Sequence, residues 1–386
     1  MGTTVSRRLF VKVGGLGLMA GACAPSATAP AAGEGQAGGQ PAPAAKAAWE
    51  VEWDKLLAAA KQEGKVVVQT ATGTGYREAL EEFNKAFPGV EAIQQAFPDA
   101  ATYVPKIKAE RQAGVYSFDA ALIPPTSALQ QLKPDGVFDP LRPLLFRPDI
   151  LDDKVWDGGY EQQWCDVEKK LAFFIMRDVN HSVWINTDLV KPSEITRVDD
   201  LANPKWKGKF VMADPRQGAV RLPMTSLWLN GKKDLIKKLI VDQEPQVIRD
   251  RRQNVEALVR GRVSFALGIL KAVLKDFKKD GLAQNVIALD LPEIDYQPHD
   301  IALAFNRAPH PNAAQLFLNW ILTKEGQAAW AKNVHVNANR IDVPIVNPED
   351  APKPGVVYKN RNQEEIYPIV GEVEKHIADI LKAANP

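Results

Sequence analysis

Two short loops hold the residues of this chain best suited to gripping a small molecule. The first, TATGTGY from Thr70 to Tyr76, follows the β-branched run KVVVQ; the second, ADPRQGAV, runs from Ala213 to Val220. Each reads as a link between a strand and a helix, where backbone N–H groups at the helix start lack partners and favour negative charge. Thr72, Thr74 and Tyr76 add hydroxyls to the first loop, and Arg216 and Gln217 add a guanidinium and an amide to the second. That chemistry points to a small anion such as a phosphonate, a phosphate ester or a carboxylate. Each of these residues also fits a plain loop-stabilising or surface role. Thr126, in PPTS, opens a further helix and serves equally as its cap. Arg252 starts the segment before VRGRVSFALG, and is either turned to a ligand or solvated.

Chemistry beyond binding has no visible basis. There is no G-x-S-x-G, no H-E-x-x-H and no paired C-x-x-C. His181, His299, His310, His335 and His376 are scattered, so spacing indicates neither a zinc site nor a histidine triad. GTGYRE carries Glu78 where a dinucleotide loop needs its third glycine. We expect no catalytic residue, no cofactor and no resident metal.

The amino terminus explains where such a protein works. Ser6-Arg7-Arg8-Leu9-Phe10-Val11-Lys12 resembles a twin-arginine export signal. The following run, Val13 to Ala20, is too short and too glycine-rich to span a bilayer. Ala20, Gly21 and Ala22 precede Cys23 and resemble the box at which bacterial lipoproteins are cut and lipidated, although Ala20 stands where leucine is usual; the alternative is ordinary cleavage with Cys23 idle. Residues 1–22 therefore read as a signal peptide. Residues 23–48 hold no aliphatic side chain larger than alanine, have nothing to bury, and read as a flexible tether.

Removing residues 1–22 takes away Arg7, Arg8 and Lys12 and no acid, so the formal charge moves from +1 to −2. A near-neutral exported chain has no electrostatic case for nucleic acid. The 338 residues from Trp49 onward suffice for two domains. Cys165 is the one cysteine left in them and reads as a small buried hydrophobe. Strand and helix patterns alternate: strands at Lys65 to Gln69, Val90 to Gln95 and Phe118 to Ile123, helices at Tyr76 to Phe87, Ala101 to Ala113 and Thr126 to Lys133, which predicts parallel crossover units. From Leu171 the pattern is strand-like, then chiefly helical, ending in an amphipathic segment from Gln363 to Ala383.

Three phrases, INTDLVKPSEITRVDDLANPKWKGKFVMADPRQGA, NVEALVRGRVSFALGI and PHPNAAQLFLNWILTKEGQAAWAKN, resemble in this order the extracellular solute-binding proteins of ABC importers, specifically their ferric-iron-type cluster. The resemblance implies an α/β, two-lobed periplasmic-binding-protein-like fold of type II, with each lobe a helix-flanked sheet, hinge strands between the lobes and a ligand in the cleft. Lobe 1 is then expected at 49–176 plus 303–343, lobe 2 at 183–299, with a helical tail at 344–386 of unassigned lobe. It also implies a monomer that hands a small-molecule solute to an ABC permease and its ATPase, and that performs no catalysis. Arg340, in NANRIDV, matches a position where the family often places an arginine near its ligand. Iron-binding members carry adjacent tyrosines, hard oxygen ligands for ferric iron, where this chain has Ile269, Leu270, Lys271 and Ala272. The expected cargo is therefore an anion, with ferric iron, a polyamine or thiamine as the alternatives, and an exported enzyme or a sensor subunit on the same fold as further ones.

Overall fold

The computed structural model describes residues 46–384. The export signal, Cys23 and nearly all of the tether lie outside the described residues.

Two sheets organise the chain. The first contains β1 (Lys65–Ala71), β2 (Glu91–Phe97), β3 (Ala120–Ile123), β4 (Phe138–Asp139) and β5 (Phe173–Phe174), and is joined late in the sequence by β11 (Ile301–Phe305). Its order is β2-β1-β3-β11-β4, with β5 paired to β11. The second contains β6 (Val183–Asn186), β7 (Phe210–Met212), β8 (Gln246–Val247), β9 (Phe265–Leu267) and β10 (Val286–Leu289), in the order β10-β6-β9-β7-β8. β1 runs parallel to β2 and β3, as crossover units require, but β11 is antiparallel to β3, β4 and β5, and β6 is antiparallel to β9 and β10. The sheets are thus mixed rather than parallel throughout. The antiparallel strands are those that enter from the segments linking the lobes.

Helices bury each sheet on both faces. On one face of the first, Phe83 meets Phe317 and Trp320 edge-on at 5.3 Å, and Tyr76 meets Trp330 at 5.4 Å. Burying an aromatic of this size contributes roughly 1.5–3 kcal/mol, so this cluster holds the helices Thr74–Ala86, Pro311–Leu322 and Lys324–Val334 to the sheet. The phrase TKEGQ closes the packing. Thr323 caps the last of these helices by accepting from Gly326 N, a Cβ at Gly326 would stand 2.0 Å from the Trp320 carbonyl oxygen, and Gln327 donates to the Ile321 carbonyl. The segment expected as one helix from Thr126 to Lys133 is irregular instead: a short turn at Pro125–Ser127 widens into an i→i+5 turn at Ala128–Leu132 before Pro134 stops it. Cys165 is buried, with its thiol pushed up by burial, and donates to the Asn362 carbonyl.

The linking segments fix where a cleft lies. Ile301 pairs with Ile123, so Asp300 stands just beyond the carboxyl end of β3, and Ile175 N donates to the Asp300 carbonyl. On the other side Gly268, just past β9, donates its N–H to Ser182. The carboxyl ends of strands from both sheets therefore converge on the same pair of crossing segments, where open α/β sheets bind their ligands. The tail touches both lobes. Lys133 pairs with Glu364 at 2.7 Å on the first, while the helix Tyr367–Ala384 buries Val373 and Ile377 in the core of the second. Among the described residues no helix is long and apolar enough to cross a membrane.

Candidate functional site

The crossing segments carry two acids, Asp178 and Asp300, near the convergence of strand ends. Asp178 accepts from Asn337 N at 2.8 Å, and burial, with help from nearby Asp350, pushes its carboxyl up to about 6. Asp300 is pushed further, to about 7, by burial first and by the charge of Asp178 second, and no hydrogen bond offsets either effect. Two like charges in a poorly hydrated place each resist ionisation, and an unpaired acid of this kind is poised for a cation that would complete it.

Two phenols join them. Burial raises the Tyr76 hydroxyl to about 12, and the charge of Asp300 adds to this. The Tyr103 hydroxyl is also raised, by burial first, against a lowering contact with Ser127, and again by Asp300. Tyr76 stands in the first turn of Thr74–Ala86 and Tyr103 in the first turn of Ala100–Gln112, helices that follow β1 and β2. Crossover topology thus puts both at the same end of the sheet as Asp300. The glycines of TATGTGY set this placement: Gly73 adopts φ 149°, and a Cβ on Gly75 would sit 2.1 Å from the Asn333 carbonyl oxygen. The helix start can lie this close to its neighbour only without a side chain there.

The residues singled out in the sequence are divided by this geometry. Tyr76 is at the site, with Thr72 and Thr74 exposed on the same loop. Thr126 is exposed next to Ser127, whose hydroxyl meets Tyr103. Gln217 is exposed at the cap position of Gly218–Leu229 and makes no capping bond with its side chain. Arg216 is turned back on its own loop: its Nε donates to Asp214 at 2.8 Å, and Arg249 approaches the same carboxylate at 3.5 Å. Two guanidiniums thus share one carboxylate, and the Arg216 side chain stays 59% exposed. Arg252 is exposed, with its guanidinium 4.9 Å from the centre of the Phe277 ring. Arg340 departs from the expectation altogether. It is 2% exposed, pairs with Asp342 through Nε and Nη2 at 2.9 Å, donates to the carbonyls of Asp149 and Leu322, and lies over Trp156. Its donors are engaged in holding segments of lobe 1 together.

Sequence reasoning passed over Asp178, Asp300 and Tyr103. The available signal was the position of both acids inside the segments expected to link the lobes, where a buried charge needs a reason.

A second group of possible metal ligands is built on and beside the same segments. One donor atom each from His181, Asp290 and Asp295 fall within 4.8 Å of one another. These atoms already have partners. His181 Nδ1 meets Asp295 Oδ2 and Nε2 meets the Glu349 carbonyl, both at 3.0 Å; Asp295 also accepts from Ser182 N and Leu291 N; Asp290 pairs with Lys353 at 2.5 Å. The group ties the crossing segment to the tail.

Comparison with known proteins gives the family and the fold. Residues 78–340 match the family model for bacterial extracellular solute-binding protein. No curated protein matches the chain in sequence. Among solved structures, the Trichodesmium protein IdiA (FutA), in complex with iron and citrate, is similar with TM-score 0.62 at 16% identity, covering 83% of this chain and 99% of that one. Ferric iron-binding protein A of Mannheimia haemolytica, in an open conformation, gives 0.62 at 13% identity, with 83% and 98% covered. The spermidine/putrescine substrate-binding protein PotD of Streptococcus pneumoniae gives 0.59 at 16%, with 82% and 99% covered. These likenesses establish the two-lobed type II fold. The chain belongs to the bacterial extracellular solute-binding proteins, the exported components of ABC importers that bind a small molecule without transforming it.

Proposed function

We propose that this chain captures a cation between its lobes by hinge closure and delivers it to an ABC permease, and that ferric iron is the cargo its donor set suits best. The observation that carries this reading is Asp300, a half-buried, desolvated carboxylate without a hydrogen-bond partner, whose charge is felt by Asp178 and by the phenols of Tyr76 and Tyr103. Carboxylate and phenolate oxygens are hard donors, and hard trivalent ions prefer them. The anion expected from loop composition has less support, because Arg216 already pairs with Asp214 in its own loop and Arg340 is buried inside lobe 1. Similar structures include binders of iron and of polyamines, which agrees with a cationic cargo. Anchoring through a lipidated Cys23 would hold the folded body near its permease and raise its effective concentration there.

The test is a titration of cargo-stripped protein with ferric nitrilotriacetate and, separately, with spermidine. Ferric iron should bind with a visible phenolate-to-metal absorption that Tyr103→Phe weakens, and Asp300→Asn should lower its affinity at least tenfold. Tight spermidine binding with no iron uptake would keep the cationic site and replace the cargo. Iron uptake unchanged in both variants, or binding of neither cation, would overturn the reading.

A further inference from the structure

A second charged concavity lies at the opposite end of lobe 1. β11 begins at the cleft and ends at Phe305, so the residues after it are displaced by about 17 Å along the strand. There Lys108, Arg111, Tyr116, Asn306 and Arg307 line a cavity of about 500 Å³. Its two guanidiniums are held in place. Arg111 donates to the Asn306 carbonyl and side-chain oxygens, both at 3.2 Å, and to the Gly136 carbonyl at 3.3 Å. Arg307 donates to the Tyr116 hydroxyl at 2.6 Å. The Tyr116 ring lies beneath both, 5.1 Å from the Arg111 guanidinium carbon and 5.3 Å from that of Arg307.

Charge is not balanced inside the cavity. Asp135, also in its lining, is paired with Lys108 at 2.8 Å, and among the described residues neither arginine has a carboxylate in ion-pairing range. Arg111 keeps its Nε–H and one Nη–H free of protein acceptors, and Arg307 keeps all but one of its donors. The backbone at Arg307 is left-handed, φ 57°, a conformation that a long side chain adopts only where its surroundings impose it. Arginines held over a ring, with unused donors facing one concavity, match the planar fork by which guanidinium groups recognise phosphate oxygens.

We propose that this pole of lobe 1 is a binding site for a phosphate-type anion, formed by Arg111 and Arg307 over Tyr116 and separate from the cleft. The anion is either free phosphate or the phosphodiester of an anionic lipid headgroup. Binding of both rests on the same two guanidiniums.

The experiment titrates the full chain, by chemical-shift perturbation and calorimetry, with inorganic phosphate, with dihexanoylphosphatidylglycerol and with its neutral phosphatidylcholine counterpart. Saturable binding of phosphate or of the glycerol lipid, weakened tenfold or more by Arg307→Asn and by Arg111→Gln, supports the site, and the ligand that binds identifies the source. Asparagine accepts the left-handed backbone, so that variant keeps the fold. Asp300→Asn should leave this binding unchanged, which separates the pole from the cleft. No binding of either anion, equal binding of the choline lipid, or affinity unchanged in both arginine variants would overturn the proposal.

Discussion

Asp295 and Asp300 stand five residues apart on one crossing segment, and the protein treats them in opposite ways. Asp295 is completely buried, yet it accepts from two backbone N–H groups and from His181, so its charge is answered at every oxygen. Asp300 retains some exposure, is desolvated all the same, and has no hydrogen bond to offset that cost. Burial raises both carboxyls. Satisfaction rather than depth alone separates a structural acid from one held ready for a ligand, since a desolvated carboxylate with no hydrogen bond is most often explained by function or a missing partner.

Changes at the two positions should therefore diverge. The largest effect is expected from Asp295→Ala, which strands His181 and two buried N–H groups and should cost about 3–5 kcal/mol of stability by denaturant unfolding. A loss below about 1 kcal/mol would erase the distinction. Asp300→Asn should do the reverse: cargo-free protein as stable as the parent or more so at neutral pH, with cargo affinity reduced roughly tenfold to a hundredfold, the worth of one charge-assisted contact.

The two raised carboxyls also make stability depend on pH. Because the folded-state values of Asp300, about 7, and Asp178, about 6, lie above those of an unfolded chain, the folded state holds more protons across the interval from roughly pH 4 to 7. Stability of cargo-free protein should then fall as pH rises through that window and level off above it, and Asp300→Asn should remove part of the slope. A cation must displace the proton, so its affinity should weaken on acidification below pH 7. A difference curve between parent and variant that is flat with pH would contradict this.

The smallest effect is expected at Arg216. With its guanidinium bonded to Asp214, Arg216→Ala should change cation affinity by less than about twofold in calorimetry. A tenfold loss would return this loop, and with it an anion, to the site.

Much of the fold was legible in the chain, because strand and helix periodicity reflect burial that each segment achieves locally. KVVVQ became β1, and the amphipathic run after it became the helix Thr74–Ala86. The phrases that carry the family resemblance were legible for the same reason. TKEGQ encodes a helix cap, a glycine pressed against a carbonyl and a buried glutamine, all of them packing requirements. The arrangement of the candidate site was far less so. Adjacent tyrosines are missing, but the parallel pairing of β1 and β2 brings Tyr76 and Tyr103, on separate helices, to one end of the sheet, where both hydroxyls feel the charge of Asp300. The arginines that looked ready for an anion found acids within two residues, and that choice belongs to loop geometry.

The order of residues along the chain carries the α/β alternation and the family. Each rests on patterns local to the chain. Only the tertiary structure decided which charges remain unanswered, because whether Asp300, Asp295, Arg216 or Arg340 has a partner depends on groups brought near by folding, and electrostatic energy depends on distance and solvent rather than on residue type.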